Sequence, residues 1–106
     1  MSSMSCSRND IVLLPIPFTD LASRKVRPAV VVGRSASDLF PVPISSQLAN
    51  VALVISDWQA AGLNVPCGAK AQIATVEERL VVKTIGTLGA QDQAKLNQSL
   101  RIWLQL

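Results

Sequence analysis

Hydrophobic positions in this chain fall in short runs separated by prolines, glycines and polar clusters, and as far as residue 89 the runs have the character of β-strands. Ile11-Val12-Leu13-Leu14 is a continuous aliphatic run closed by Pro15 and Pro17, which cannot donate to a ladder, so a strand ends there. Phe18 to Val26 is a polar loop holding Thr19-Asp20, Ser23 and the basic pair Arg24-Lys25. Pro28 stands at a strand entrance, Ala29-Val30-Val31-Val32 forms a buried strand, and Gly33 to Asp38 supplies turn residues. Leu39 to Ile44 interleaves apolar residues with Pro41 and Pro43, which predicts an edge or bulged strand, followed by the polar break Ser45-Ser46-Gln47. Val51 to Ile55 resumes the β pattern.

Asp57 is placed to cap one helical turn over Trp58 to Ala61, with Gly62 ending it. Pro66-Cys67-Gly68 reads as a loop and Ala69 to Ala74 as a strand. Thr75-Val76-Glu77-Glu78 matches a capping box before a last strand over Leu80 to Ile85, and Gly86 and Gly89 bracket its exit. From Ala90 the apolar spacing lengthens from two to about 3.6 residues. Leu96, Leu100, Trp103 and Leu104 then lie along one face of a C-terminal amphipathic helix. Five or six short strands closed by one helix, without alternating βα units, predict a mainly β fold, a small antiparallel barrel with a C-terminal α-helix. Residues 1–8 are expected as a flexible N-terminus and 9–106 as one domain.

Composition narrows the chemistry. A hydrophobic fraction of 49% and a charged fraction of 16% describe a folded chain, and 106 residues hold one core whose apolar face a second subunit would complete. No apolar run approaches the roughly 20 residues of a spanning helix, and Met1 to Ser7 is Ser-rich without a signal-peptide core, so a cytoplasmic protein that makes no membrane contact is expected. Cys6 and Cys67 lack metal-ligand spacing. The absence of histidine excludes Ser-His-Asp triads and His-based metal or acid–base chemistry, and neither a metal nor a cofactor is expected. Ten Lys and Arg against seven Asp and Glu give +3, a mild bias toward polyanions. Two Phe and two Trp are too few for a base-stacking platform.

Three stretches carry a further signal. They are Asn9-Asp10-Ile11-Val12 with Pro17-Phe18-Thr19-Asp20-Leu21, then Arg27-Pro28-Ala29-Val30-Val31-Val32, then Val42-Pro43-Ile44-Ser45-Ser46-Gln47. In this order and spacing they resemble the MazF/PemK family of toxins from toxin–antitoxin pairs, and Asp57-Trp58, Gly62-Leu63, Ile85-Gly86 and Leu88 extend the likeness almost to the C-terminus. The resemblance implies an SH3-like barrel that forms a homodimer and cleaves single-stranded RNA at short motifs without a metal. It also implies silencing by a cognate antitoxin, with DNA reached only indirectly through that antitoxin.

On that basis Arg27 and Ser45 are the expected catalytic pair. RNA carries its own nucleophile, the 2′-OH, so the protein needs to align it and stabilise charge on the phosphate. A guanidinium suits this role because its planar fork matches two phosphoryl oxygens. Ser45 stands where the family usually has threonine and would donate to a non-bridging oxygen, with looser positioning for want of the methyl group. Asp20, Arg24, Lys25, Ser46, Gln47, Lys70 and Gln72 are the expected RNA-binding residues, with Arg34 and Lys83 as outlying basic candidates.

Two departures from the family stand out. Gln72 occupies the neighbourhood of an acid and cannot accept a proton at neutral pH, so the general base is unassigned unless Asp20 serves. Asn9 replaces a glycine ahead of Asp10, a substitution that asparagine's tolerance of positive φ permits. A catalytically weak RNA- or antitoxin-binding module of the same fold is therefore the second expectation. A gyrase poison of the CcdB type is the third, although such chains end in Trp-Gly-Ile and this one ends Ile102-Trp103-Leu104-Gln105-Leu106.

Overall fold

The apolar runs around Ile11, Val30 and Val42 are continuous because the strands they form are buried on both faces. In a computed structural model, which describes residues 5–16 and 25–106, they form β1 (Asp10–Pro15), β2 (Val26–Ser35) and β3 (Asp38–Ser45). Four shorter strands follow, β4 (Leu53–Val54), β5 (Gly68–Ala69), β6 (Val76–Glu77) and β7 (Lys83–Thr87), and then the helix α1 (Ala90–Leu104). All pairings are antiparallel. The order is β4-β5-β3-β2-β1-β7, with β6 also paired to β3. This is the expected mainly β architecture with a C-terminal helix.

Alternation along the central strands divides the interior in two. Ile11, Val30, Val32, Val42 and Ile44 face a cluster completed by Ile55, Leu63, Leu88 and the helix residues Leu96 and Leu100. Val12, Leu14, Ala29, Val31 and Leu39 face the opposite cluster, completed by Cys6, Ile16 and Val76. Two packed layers on one sheet leave no outward polar face for alternation to reveal. Trp103 is partly buried against the helix-side cluster, whereas Leu104, expected on the same apolar face, is 52% exposed because it falls in the last helical turn.

β3 is not an edge strand. β2 pairs along one side of it and β5 and β6 along the other, and the bulge lies in β2, where Val32 is the extra residue between Val31↔Pro41 and Gly33↔Phe40. The prolines explain both facts. In an extended strand a residue's N–H and C=O point to the same side. Pro41 and Pro43 turn their carbonyls away from β2, to Ala74 N–H (3.0 Å) and Lys70 N–H (3.0 Å). Their missing donors therefore face that side, and the β2 ladder is untouched.

The same defect corrects the strand expected over Ala69 to Ala74. Opposite two prolines it receives no reciprocal hydrogen bonds, so pairing survives only at Gly68–Ala69 and resumes at Val76–Glu77. Residues 71–73 lie outside the ladder between them, while Lys70 and Ala74 still donate to β3. The capping box expected at Thr75 to Glu78 does not form; Val76–Glu77 is a strand, and a 3-10 turn over Glu78–Leu80 follows without a side-chain cap. The last strand consequently starts at Lys83 rather than Leu80, and a bulge at Ile85 carries it to Thr87. The strand expected over Val51 to Ile55 is reduced to Leu53–Val54.

No ladder joins the two ends of the sheet, β4 and β7, among the described residues. The turn over residues 56–62 spans the gap instead. Gly62, at φ +92°, lies so close to β7 that a Cβ would collide with the Ile85 carbonyl, and a Cβ on Gly86 would collide with the Ala61 carbonyl. Side chains at either position would push the turn off the strand. Asp57 does not cap this turn. Asp92 of α1 does, its buried carboxylate accepting the N–H groups of Ser56 (2.9 Å) and Asp57 (3.0 Å).

Asn9 adopts φ +76°, its N–H donating to Val31 O (2.7 Å) and its carbonyl accepting Leu88 N–H (2.9 Å). Within the segment 1–8, Cys6 is buried and its N–H donates to Glu78 Oε2 (2.7 Å). Arg34 closes the same latch, reaching Glu78 Oε1 (2.8 Å) and the Cys6 carbonyl (3.0 Å). The pair with Arg34 and the Cys6 N–H hold the Glu78 carboxyl down at about 2, far below the usual carboxylate range.

Candidate RNA-binding groove

Three neighbouring strands deliver the candidate residues to one place. The β2–β3 register pairs Ala29 with Pro43, and extending it by two residues sets Arg27 across from Ser45. On the other side of β3, Ser45 pairs with Gly68 and Ile44 with Ala69, so Lys70 follows opposite Pro43. A groove of about 500 Å³ opens at this end of the sheet. Arg27, Ser45, Ser46, Gln47, Lys70 and Gln72 all line it.

Each side chain has a local cause for its position. Arg27 is exposed at the start of β2, with Pro28 restricting the backbone behind it. Ser45 ends β3, and its Oγ accepts the N–H of Gln47 (3.0 Å), which fixes the hydroxyl's place while leaving its proton to donate. The Gln47 side-chain oxygen accepts from Asn50 Nδ2 (2.9 Å), so the amide's NH₂ remains for a ligand. Gln72 lies in the segment 71–73, its N–H donating to Lys70 O (2.8 Å), and its Oε1 is buried with no hydrogen-bond partner among the described residues.

The far wall was not legible beforehand. Gly62, Leu63, Asn64, Val65, Cys67 and Ile85 complete the groove with Leu13 and Ile16, brought there by the turn that docks on β7. Gly62 carried a turn signal; Asn64 carried none. Burial pushes the Cys67 thiol up, and its Sγ donates to Val65 O (2.9 Å), so it is a wall residue rather than a nucleophile.

Of the other expected residues, Lys25 is exposed beside β2 but does not line the groove, and neither do Lys83 or Arg34, the latter being engaged by Glu78. Asp20 and Arg24 lie outside the described residues. Among the residues that line the groove, Arg27 and Lys70 are cations and none is acidic, so the lining favours a polyanion. The ion pairs among the described residues, Arg34–Glu78, Arg79–Glu77 and Lys95–Asp92, all lie elsewhere. Among the described residues no three Asp, Glu or Cys gather to hold a metal ion, and no helix is long and apolar enough to cross a membrane.

Comparison with known proteins agrees with the fold. Residues 7–104 match the family model of the PemK-like, MazF-like toxins of type II toxin–antitoxin systems. Among solved structures, the Mycobacterium tuberculosis toxin MazF-mt6 superposes with a TM-score of 0.73 at 18% identity over 92% of this chain and 97% of that one. An endoribonuclease in complex with its cognate antitoxin, from a mycobacterial species, gives 0.71 at 17% identity over 98% and 97%. Among the curated proteins none matches by sequence.

Proposed function

Because the chain belongs to the PemK-like, MazF-like toxins of type II toxin–antitoxin systems, we propose that it is a metal-independent, sequence-specific endoribonuclease acting on single-stranded mRNA. The observation that carries this reading is the convergence of Arg27, Ser45 and Lys70 on one groove lined by no acidic residue among those described. In the reaction the substrate's 2′-oxygen attacks the adjacent phosphorus, the P–O5′ bond breaks, and the products are a 2′,3′-cyclic phosphate and a 5′-OH. Arg27 grips two non-bridging oxygens as negative charge builds on them, and Ser45 donates its free proton to one of them. Lys70 holds a flanking phosphate as a point charge. Ser46, Gln47 and Gln72 contact the bases, Lys25 contacts the strand as it leaves the groove, and Asp20 and Arg24 are further RNA-binding residues of this proposal.

Proton transfer is the slow part of this scheme. Among the described groove residues none is a ready proton acceptor, so water takes the 2′-OH proton and returns one to the departing 5′-oxygen, which makes the chain a modest catalyst. The same observation supports a second reading, an RNA- or antitoxin-binding module without turnover. A cognate antitoxin whose acidic segment fills the groove, and a homodimer, are the proposed partners; exposed Ile102, Leu104 and Leu106 at the end of α1 are available to such contacts.

Purified protein incubated with mixed-sequence RNA in EDTA tests the assignment. Fragments ending in 2′,3′-cyclic phosphate are expected, with cleavage falling about 100- to 1000-fold in Arg27→Ala and less in Ser45→Ala. Retarded but uncut RNA favours the binding module. Cleavage indifferent to Arg27→Ala overturns the mechanism.

A further inference from the structure

Gln72 presents an anomaly that phosphate binding does not resolve. Its Oε1 is buried with no donor among the described residues, although Lys70, Ser45 and Ser46 line the same groove. A buried acceptor left unpaired destabilises the free protein, and such groups call for an explanation. Phosphate oxygens are acceptors, so a phosphodiester can engage the amide's NH₂ but never this oxygen. An N–H or O–H on the ligand is required. RNA offers these on base edges and at the 2′-OH, and only the base edges differ between nucleotides.

We propose that Gln72 is a specificity-determining residue, its amide reading the edge of one RNA base by accepting from an exocyclic amino group and donating to the neighbouring ring nitrogen. The inference rests on the ribonuclease reading of this groove. An amide matches adjacent donor and acceptor atoms, such as N6–H and N7 of adenine, and cytosine's N4–H and N3 present the same pair. Gln72 sits in the segment 71–73, which lies outside the β3 ladder between Lys70 and Ala74. A change of rotamer at its aliphatic torsions carries the whole amide, Oε1 and Nε2 together, from the wall to the groove, where a base N–H relieves the unpaired state.

Sequencing the ends produced from a randomised RNA pool tests this with the full chain. Wild-type protein is expected to favour an amino-bearing base at one position by about tenfold to a hundredfold. Gln72→Leu, nearly isosteric but apolar, flattens that position and leaves the preferences at the others. Gln72→Glu keeps acceptors and loses the donor, which shifts the preference toward guanine, whose N1–H and N2–H are adjacent donors on an unpaired base. Oligonucleotides with the amino group deleted from that base are cut more slowly by wild type but not by Gln72→Leu, whereas 2′-deoxy substitution on the 3′ side of the cleaved bond slows both proteins equally.

A profile that Gln72→Leu leaves intact, in a variant that melts as the wild type does, overturns the assignment while the ribonuclease reading stands. A sugar substitution whose effect disappears in Gln72→Leu shows that the oxygen meets a hydroxyl, and base reading is refuted. If the wild type binds without cutting, the same comparison is made on the bound fraction of the pool. RNA that is neither cut nor retarded removes the ribonuclease reading and this inference together.

Discussion

Replacing Asp92 by alanine removes the carboxylate on which the groove's far wall depends. Asp92 is 1% exposed and accepts two backbone N–H groups, from Ser56 and Asp57, while pairing with Lys95 at 3.1 Å. Hydrogen bonds to a charged acceptor contribute about 1.5–3 kcal/mol each, so two set an upper range of about 3–6 kcal/mol. Ser56 and Asp57 are exposed residues, and Lys95 is 43% exposed and keeps Val54 O and Ser56 Oγ as partners. Water therefore recovers part of the loss and the ion pair adds little, which leaves about 2–4 kcal/mol for Asp92→Ala. Asp92→Asn keeps one acceptor and loses about 1–2 kcal/mol.

Burial acts to raise the Asp92 carboxyl, but the N–H groups of Asp57 and Ser56 and the Lys95 ammonium outweigh it and hold the group below its ordinary 3.8. A carboxyl lowered by folding stabilises the protein above its unfolded value, and that contribution is lost as pH falls through the folded one. Wild type should accordingly lose stability below pH 3.8, and Asp92→Asn should lose less over the same interval. Urea unfolding at pH 7 and at acid pH measures both effects, and for a domain of this size each kcal/mol moves Tm by about 4–8 °C. A cost for Asp92→Ala below about 0.5 kcal/mol, the level of an ordinary surface change, would refute the idea that this carboxylate holds the turn.

Two more outcomes follow from the same frame. Gly86→Ala forces a Cβ into the Ala61 carbonyl and should destabilise by roughly 1–3 kcal/mol while lowering RNA cleavage, because the turn it displaces carries Gly62 and Asn64 into the groove; a melting curve and a cleavage assay check both. Glu78 is held at about 2 by Arg34 and the Cys6 N–H, so the latch should be intact above 4.5 and release as pH falls toward 2. Labelling of Cys6 by a pyridyl disulfide should accelerate across that interval, and a rate that is flat with pH would show that Glu78 does not hold the segment.

The expected elements survived where burial on both faces wrote continuous apolar runs, as in β1 and β2, and where the apolar spacing lengthened at Ala90. They failed where pairing depended on a partner strand. Ala69 to Ala74 has strand composition, yet its hydrogen bonds depend on what Pro41 and Pro43 present, and proline's missing N–H acts across the sheet rather than along the chain. Asp57 is likewise a good local cap, displaced by a carboxylate 35 residues further on. Local composition records what a residue prefers by itself, and these positions were settled by neighbours distant in sequence.

The candidate site divides in the same way. Arg27-Pro28, Ser45-Ser46 and Lys70 could be singled out because they stand in stretches that resemble the MazF/PemK family; residue type and spacing without that resemblance point no further than a strand entrance, a turn and a surface cation. Their convergence belongs to the β2–β3 and β3–β5 registers, which set residues 27, 45 and 70 on neighbouring strands at one end of the sheet. The opposite wall of the groove and the unpaired oxygen of Gln72 exist only in three dimensions. Both arise where a backbone without ladder partners must close against another segment, and no run of adjacent residues encodes such a contact.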